Sequence, residues 1–294
     1  MIDILMPTIA QGLLWAIMAL GVYITFRVLD IADLTVEGSF PLGAAVAAAM
    51  LSEGYSVSAA FACAAVAGML AGVATGFLHT KLKIPALLAG ILTMIALYSV
   101  NLRVMGKANL SLLRIDTIFT EMQALTGLDN VYTVLAVGAV SALICVIFIY
   151  WFFGTEIGAA IRATGYNQQM IRAQGVDTRI TIILGLLISN ALVALSGALI
   201  AQNNGFADVG MGTGTIVIGL ASVIIGEVLF GTRSFKNCLI SVVLGSVVYR
   251  IVIAAVLQMG MPPNDLKLFT ALLVAFALSL PLVKDKFGIR KAVK

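Results

Sequence analysis

Long apolar runs, broken at intervals by short polar stretches, extend along almost the whole chain. A run of about 20 apolar residues is long enough to cross a hydrocarbon core about 30 Å thick. Because that core holds no water, each run must fold as a helix that satisfies its own backbone hydrogen bonds. The pattern predicts membrane spans at about residues 5–26, 39–52, 56–78, 84–104, 131–153, 181–200, 213–230, 238–257 and 267–283.

The composition supports the same class of protein. Hydrophobic residues make up 61% of the 294 residues and charged residues only 11%, whereas soluble domains carry roughly a quarter charged residues. A soluble globular protein is therefore excluded. We expect an all-α, polytopic helical membrane protein that forms one domain over residues 1–294, with about 8–10 transmembrane helices.

The segment before the second predicted span is unusual. Residues 29–38 read LDIADLTVEG and carry three carboxylates, Asp30, Asp33 and Glu37, beside apolar residues. The segment is either a simple polar loop or a broken helix that enters the bundle with irregular backbone buried in protein. We favour the broken helix, because the acids alternate with Leu, Ile and Val.

Basic residues are distributed unevenly between the predicted loops. If the N-terminus lies outside, the inner side holds most of the 18 basic residues, namely Arg27, Lys81, Lys83, Arg162, Arg172, Arg179, Arg233, Lys236, Lys284, Lys286, Arg290, Lys291 and Lys294. This asymmetry follows the positive-inside rule, so we expect an outer N-terminus and a cytoplasmic tail at residues 284–294. The same rule explains the net charge of +4 without a nucleic-acid partner.

One polar stretch between two apolar runs is much longer than the others. Residues 154–179 read GTEIGAAIRATGYNQQMIRAQGVDTR and fall on the predicted cytoplasmic side. They form either a solvated loop or a helical surface for a soluble partner, and we favour the surface. On the other side, residues 105–130 carry apolar residues at helix-like intervals and predict a short helix at the outer surface. Residues 201–212 form a second outer loop.

Few residues suit catalysis. The only histidine is His79, and Cys63, Cys145 and Cys238 lie in apolar runs without metal-like spacing. No Gly-Lys-Ser/Thr phosphate loop occurs in the chain. We therefore expect no enzyme activity, no catalytic residue, no cofactor and no metal site. Glycines at every fourth position over residues 68–76 predict a helix face that packs closely on a neighbour.

Polar residues within or beside membrane spans are functional candidates. Five positions are candidates for the pathway or its gate: Asp33, Glu37, Asn203, Glu227 and Arg250. We expect Glu227 and Arg250 to lie roughly 10 Å or more apart in depth, which argues against a direct ion pair. Arg250 could attract a substrate carboxylate or bind backbone carbonyls, and we favour the carbonyls.

Three segments resemble the membrane permeases of ABC importers, in the subgroup that serves branched-chain amino acids and ribose-type sugars. They are residues 29–44 (LDIADLTVEGSFPLGA), 158–176 and 218–231 (IGLASVIIGEVLFG). In that order they resemble the approach to the family's second helix, its cytoplasmic coupling segment and its glycine-rich late helix. The string DLTVEG also resembles a smaller branch whose binding proteins are described as tryptophan, tyrosine or general amino-acid binders.

The resemblance implies a type II ABC importer permease in the plasma (inner) membrane of a prokaryote, with ATP hydrolysis supplied by separate subunits. The implied partners are ABC ATPase subunits, a second copy of the chain, the lipid bilayer and an extracytoplasmic substrate-binding protein docked near residues 105–130 and 201–212. The cargo of the homodimeric pathway is expected to be a small solute, in particular an amino acid.

The resemblance also assigns a coupling role to the cytoplasmic segment at about residues 154–180. Gly158 and Gly165 are expected to permit tight turns. Ile161 and Met170 are expected to anchor the ATPase by apolar contact, and Arg162 and Arg172 to meet its acidic rim. The full set of expected coupling residues is Gly158, Ile161, Arg162, Gly165, Asn167, Met170, Arg172 and Gly175.

The main alternative is an ion-coupled secondary transporter of a small solute. Such a carrier would need inverted repeats and an ion site near the middle of the membrane. The sequence contains no clear internal repeat and no convincing pair of ionisable residues. A membrane scaffold protein is a second alternative, but it would not need the long polar segment.

Overall fold

The computed structural model of the chain describes residues 2–260, 262, 265, 266 and 268–275. The helices are α1 (Ile2–Tyr23), α2 (Val36–Ser52), α3 (Val57–Thr80), α4 (Ala86–Met105), α5 (Ile118–Thr126), α6 (Asn130–Phe153), α7 (Glu156–Tyr166), α8 (Gln168–Ala173), α9 (Thr178–Asn204), α10 (Thr215–Phe230) and α11 (Phe235–Gln258). A π-helical turn, Ile24–Val28, extends α1, and a 3-10 turn, Val209–Gly212, precedes α10. There are also two short strands, β1 (Asn109–Ser111) and β2 (Phe206–Asp208).

Most of the predicted spans are present. Within the described residues, 7 helices are long and apolar enough to cross a membrane, and α2 is a shorter apolar helix. Together they account for the predicted spans from 5–26 to 238–257, so the prediction of an all-helical polytopic membrane protein is confirmed. The last predicted span, 267–283, is helical over residues 268–275 and then leaves the described residues, and the predicted tail 284–294 lies outside them.

The chain between α1 and α2 enters the bundle as irregular backbone. Asp30 adopts a left-handed conformation with a φ of 56°, and the Ile31 N–H donates to the Thr25 carbonyl over 2.9 Å. Ile31, Asp33 and Thr35 are all buried. The prediction of a broken helix before α2, with its irregular backbone covered by protein, is therefore confirmed.

Helix α9 lies in the middle of the bundle and contacts α1, α2 and α3. Its close approach to α3 depends on the glycines at 68, 72 and 76. A Cβ at Gly72 would collide with the backbone of Leu186, and one at Gly68 would collide with the backbone of Asn190. The predicted glycine face is therefore a close-packing surface between two membrane helices.

The two ends of the bundle differ in character. We call the end where α3, α6 and α10 finish the basic end, and the end where α4, α9 and α11 finish the loop end. The basic end carries α7 and α8 together with Lys81, Lys83 and Arg233 in short connections. The loop end carries α5 and both strands.

At the loop end, β1 pairs with β2 in antiparallel fashion, with Leu110 opposite Ala207. The pairing brings residues 105–130 and 201–212, the two predicted outer loops, against each other. Helix α5 confirms the predicted short helix, and the Ile118 N–H at its start donates to Gln202 Oε1 over 3.0 Å. Each strand has only 3 residues, so the all-α class is unchanged. The pair forms because extended loop backbone finds hydrogen-bond partners in a second loop.

Candidate functional site

Helices α7 and α8 form a polar platform at the basic end, and they are held firmly to the bundle. Ile161 is completely buried, and the hydroxyls of Thr164 and Thr181 are 2.8 Å apart. Gly165 lies so close to the Val28 carbonyl that a Cβ would collide with it. The platform is therefore a rigid extension of α1 and α9 rather than a loose loop.

Three of the expected coupling residues have a different role in the structure. Ile161 was expected to anchor a partner, but it packs in the core of this chain and offers no surface. Gly158 and Gly165 were expected to permit turns, but both lie inside α7 and allow close contact with the backbones of Phe152 and Val28. Gly175, with a φ of 85°, does form a turn, after α8.

Other expected coupling residues shape the platform through hydrogen bonds. Asn167 caps α8, because its Oδ1 accepts from the Met170 N–H over 3.0 Å. Arg172 Nε donates to Thr178 Oγ1 over 2.7 Å and ties α8 to the start of α9. The guanidinium of Arg162 lies 5.3 Å from the ring centroid of Phe235.

The exposed face of the platform is partly apolar. Tyr166 is 97% exposed, Ile157 is 53% exposed and Met170 is 47% exposed. Only Met170 was among the expected coupling residues. The sequence carries only a weak signal for Tyr166 and Ile157, because an apolar residue in a short amphipathic helix can be either buried in the core or exposed at the surface.

Arg27 and Glu227 form an ion pair at the basic end. Arg27 Nε donates to Glu227 Oε1 over 2.8 Å, and its second guanidinium nitrogen binds Oε2. The pair joins the π-helical turn after α1 to the last turn of α10. Glu227, a predicted gate candidate, thus links two helix ends, and its partner is Arg27 rather than Arg250.

Asp33, another predicted gate candidate, is part of a buried hydrogen-bond network. Its Oδ2 accepts from Asn190 Nδ2 over 2.8 Å, its Oδ1 accepts from the Thr35 N–H over 2.9 Å, and Asn190 Oδ1 accepts from the Ser39 hydroxyl over 2.7 Å. Only 2% of Asp33 is exposed. Its carboxylate fixes the irregular segment to α9, and its role in the pathway or gate stays a prediction.

Glu37 lies in the first turn of α2 and lines a cavity of about 430 Å³. Its Oε1 accepts from the N–H of Gly214, which has a left-handed φ of 85° at the start of α10. Asn101 lines the same cavity and is fully buried. Asn101 Nδ2 donates to the Gly38 carbonyl over 3.3 Å, but its Oδ1 has no partner in the part of the chain that the structure describes.

Arg250 lines a second cavity, of about 380 Å³, next to the first. Its guanidinium lies 4.2 Å from the ring centroid of Trp15, a cation–π geometry. The expectation that it binds backbone carbonyls is wrong for Nε, which is buried without a hydrogen-bond partner among the described residues. Thr213 lines both cavities. The turn before α10 therefore separates the cavity that Glu37 lines from the cavity that Arg250 lines.

The remaining polar candidates occupy neither cavity. Asn203 lies half-buried in the last turn of α9 at the loop end. His79 places its Nδ1 2.8 Å from the Ile84 carbonyl and stabilises the turn between α3 and α4. Among the described residues, no group of three or more His, Cys, Asp or Glu side chains is arranged to hold a metal ion.

Comparison of the sequence with known proteins shows which family the chain matches. The matching family is described as branched-chain amino acid transport system / permease component, and the match covers residues 4–278. A tyrosine transport system permease protein of Clostridioides difficile (strain R20291) is 42% identical over 270 residues, which are 92% of this chain and 88% of the relative.

Two further relatives are more distant. An uncharacterized protein of Rickettsia prowazekii (strain Madrid E) is 35% identical over 281 residues, which are 94% of this chain and 97% of the relative. A galactofuranose transporter permease protein of Escherichia coli (strain K12) is 27% identical over 264 residues, which are 88% of this chain and 74% of the relative. No solved structure matches the chain.

Proposed function

The chain belongs to the family of branched-chain amino acid transport system permease components, and on that premise we propose that it transports tyrosine or a closely similar amino acid. It is the permease subunit of an ABC importer, a multi-pass membrane protein of a bacterium, and is not itself catalytic. The observation that carries the cargo proposal is the 42% identity, over 92% of this chain, to a tyrosine transport system permease.

The energy for import comes from ATPase subunits, and they dock on the exposed face of α7 and α8. This face supports docking because Tyr166 and Met170 expose apolar surface on a platform at the basic end. Arg162 and Arg172 are also exposed there and add positive charge at its edge. A groove on the ATPase that is apolar at its centre and acidic at its rim would fit this surface.

Motion of the platform reaches the cavities through packed contacts. The platform contacts the π-helical turn through Gly165 and the start of α9 through Thr164. In the middle of α9, Asn190 holds both Asp33 and Ser39, which flank the start of α2. A tilt of α7 is therefore transmitted along α9 to the turn of α2 that carries Glu37.

The pathway runs between two copies of the chain, and the α2–α4 face that carries Glu37 lines it. Tyr98 is 56% exposed on this face, and Ser99 is exposed beside it. Polar side chains at membrane depth seldom face lipid and are usually directed to the bundle interior or to a water-filled cavity. A homodimer with this face turned inward gives Tyr98 and Ser99 such an environment.

The basic end lies in the cytoplasm and the loop end lies outside. The basic residues of the short connections support this orientation through the positive-inside rule. An extracytoplasmic substrate-binding protein docks on the paired strands and α5, which form a continuous surface from both outer loops. The family's importer role requires such a delivery protein on the side opposite the ATPase.

Reconstitution tests the proposed function directly. The chain, its ATPase and its binding protein are placed in proteoliposomes, and uptake of labelled tyrosine is compared with uptake of a neutral sugar. The proposal predicts tyrosine uptake that requires ATP and the binding protein. ATP-driven uptake of the sugar instead would refute the cargo, and uptake driven by an ion gradient without ATP would refute the importer mechanism.

A further inference from the structure

A cavity of about 660 Å³ lies at the basic end, between the end of α6 and the starts of α7 and α11. Two exposed basic side chains line it, Arg162 from α7 and Lys236 from α11. The guanidinium of Arg162 lies 5.3 Å from the ring centroid of Phe235, which also lines the cavity and holds Arg162 on this side of α7. The fold therefore brings two positive charges from different helices to one cavity.

The starts of two helices also line this cavity. Thr155 caps α7 by accepting the Gly158 N–H, Ser234 caps α11 by accepting the Asn237 N–H, and both capping residues are in the lining. The N–H groups of the first two residues of a helix have no acceptor within it, and the positive end of the helix dipole lies there. Glu156, in the first turn of α7, is exposed and lies outside the lining. Together with the two basic side chains, these helix starts favour an anionic group such as a phosphate.

The side of the cavity formed by α6 is aromatic and continues into an exposed apolar face. Tyr150 and Trp151 line the cavity, and the Trp151 side chain is 66% exposed. Ile147 and Ile144 are exposed one and two turns before Trp151 on α6. Tyr and Trp concentrate at the level of the lipid headgroups, with apolar side chains beyond them facing the acyl chains. The positive lining therefore lies at headgroup level, beside a surface that suits acyl chains.

This cavity is separate from the surfaces assigned to protein partners. Helix α6 packs mainly on α1, whereas α4 packs mainly on α2 and α3, so the cavity lies apart from the α2–α4 face that a second copy would cover. Lys236 lies on α11, outside the platform of α7 and α8 that would meet the ATPase. A lipid from the surrounding bilayer can reach the cavity along the exposed face of α6.

We propose that this cavity binds the headgroup of an anionic phospholipid, with its phosphate between Arg162 and Lys236 and an acyl chain along α6. Basic pockets between membrane helices suit such headgroups, because each Lys or Arg near the membrane surface attracts anionic lipid. The bound lipid joins α7, which belongs to the platform, to α11 at the membrane surface. The site does not depend on the cargo, and only its assignment to the cytoplasmic leaflet rests on the proposed function.

Trp151 offers a direct readout of lipid at this site, because the chain has only one other tryptophan, Trp15. The Trp15→Phe chain is reconstituted in phosphatidylcholine with a small fraction of a brominated lipid, which quenches the fluorescence of a tryptophan that it contacts. We expect brominated phosphatidylglycerol to quench Trp151 at an about tenfold lower mole fraction than brominated phosphatidylcholine does. Equal quenching by the two lipids would overturn the proposal.

Variants at the basic side chains test which residues hold the headgroup. Lys236→Gln should reduce the preference for phosphatidylglycerol about fivefold, and the further change Arg162→Gln should abolish it. Lys81→Gln is the matched control, because it removes an exposed basic charge from the connection between α3 and α4 at the same end. A preference that Lys236→Gln leaves as strong as Lys81→Gln does would overturn the site.

Native mass spectrometry provides a second measurement that keeps both tryptophans. The chain is purified from bilayers with equal amounts of the two lipids, and the lipids that it retains are counted. We expect phosphatidylglycerol on the wild type and on Lys81→Gln, about fivefold less on Lys236→Gln, and no displacement by excess inorganic phosphate. Equal retention of the two lipids by the wild type would overturn the proposal, and displacement by inorganic phosphate would overturn the assignment to a lipid.

A separate control distinguishes the lipid from the ATPase as the occupant. In bilayers of phosphatidylcholine alone, the complex of Lys236→Gln with the ATPase should be as stable as that of the wild type. Loss of the ATPase from Lys236→Gln under these conditions would assign Lys236 to the ATPase interface and overturn the lipid site. Failure of the wild type to bind any ATPase would refute the proposed function and leave the lipid measurements as they stand.

Discussion

The side-chain amide of Asn190 donates to Asp33 over 2.8 Å, and this contact joins the irregular segment before α2 to the middle of α9. Both residues are almost completely buried. Irregular backbone within a membrane protein persists only where protein covers it and satisfies its polar groups. The contact therefore allows the start of α2, with Glu37 in its first turn, to lie inside the bundle.

Asn190→Leu should destabilise the protein strongly. The change leaves Asp33 Oδ2 and the Ser39 hydroxyl without the side-chain amide that each of them binds, at a cost of about 1–3 kcal/mol for each buried group. A thermal unfolding curve of the detergent-purified protein measures the loss. Asn203→Leu is the control, because Asn203 is only half-buried at the end of the same helix. Equal midpoints for the two variants would contradict the structural role of the network.

Gly72→Val should disrupt the packing of α3 on α9. A Cβ at Gly72 already collides with the backbone of Leu186, and overpacking typically costs about 1–3 kcal/mol, occasionally more. Ala74→Val adds the same kind of side chain two residues away on an exposed face of α3. We expect a lower unfolding midpoint for the glycine variant only, and a similar drop in both would contradict the packing.

The ion pair between Arg27 and Glu227 should contribute little to stability. The Arg27 side chain is 49% exposed and that of Glu227 is 12% exposed. Because water reaches the guanidinium, we expect a value near the upper end of the range of about 0.2–1 kcal/mol that exposed pairs contribute. A double-mutant cycle with Arg27→Gln and Glu227→Gln measures the coupling. A coupling energy far above this range would mean that the pair is shielded from solvent in the assembled importer.

The orientation of the chain can be tested from both sides of the membrane. In a cysteine-free background, Leu125→Cys on α5 and Met170→Cys on α8 are both exposed positions. A membrane-impermeant maleimide should label Leu125→Cys in spheroplasts, whose outer face is accessible, and Met170→Cys only after lysis. The reverse pattern would place the platform outside and contradict docking of a cytoplasmic ATPase there.

Most of the fold follows from the hydrophobic pattern, because a bilayer requires long apolar helices and the chain has few other ways to satisfy its backbone. The glycines at residues 68–76 and the helix at α5 were also readable from spacing. The pairing of β1 with β2 was not, since it joins segments almost 100 residues apart and each strand has only 3 residues.

The individual roles of polar residues were harder to predict. Asp33 and Glu37 are four residues apart and look alike in sequence, yet one is sealed in a network and the other lines a cavity. Ile161 and Met170 were both expected to meet a partner, but only Met170 is exposed. Tertiary packing decides which side of a short helix is covered, and the local pattern does not contain that information.

Co-purification with the ATPase encoded nearest to this chain tests the coupling platform most directly. Tyr166→Ala combined with Met170→Asp alters only exposed side chains of α7 and α8, unlike changes at Arg172, which holds Thr178. Leu125→Ala, an exposed apolar change at the loop end, serves as the control. We predict a stable complex of two permeases and two ATPases for wild type and control, and its loss in the double variant with the fold intact. A double variant that retains the ATPase as well as the wild type does would contradict a coupling role for α7 and α8.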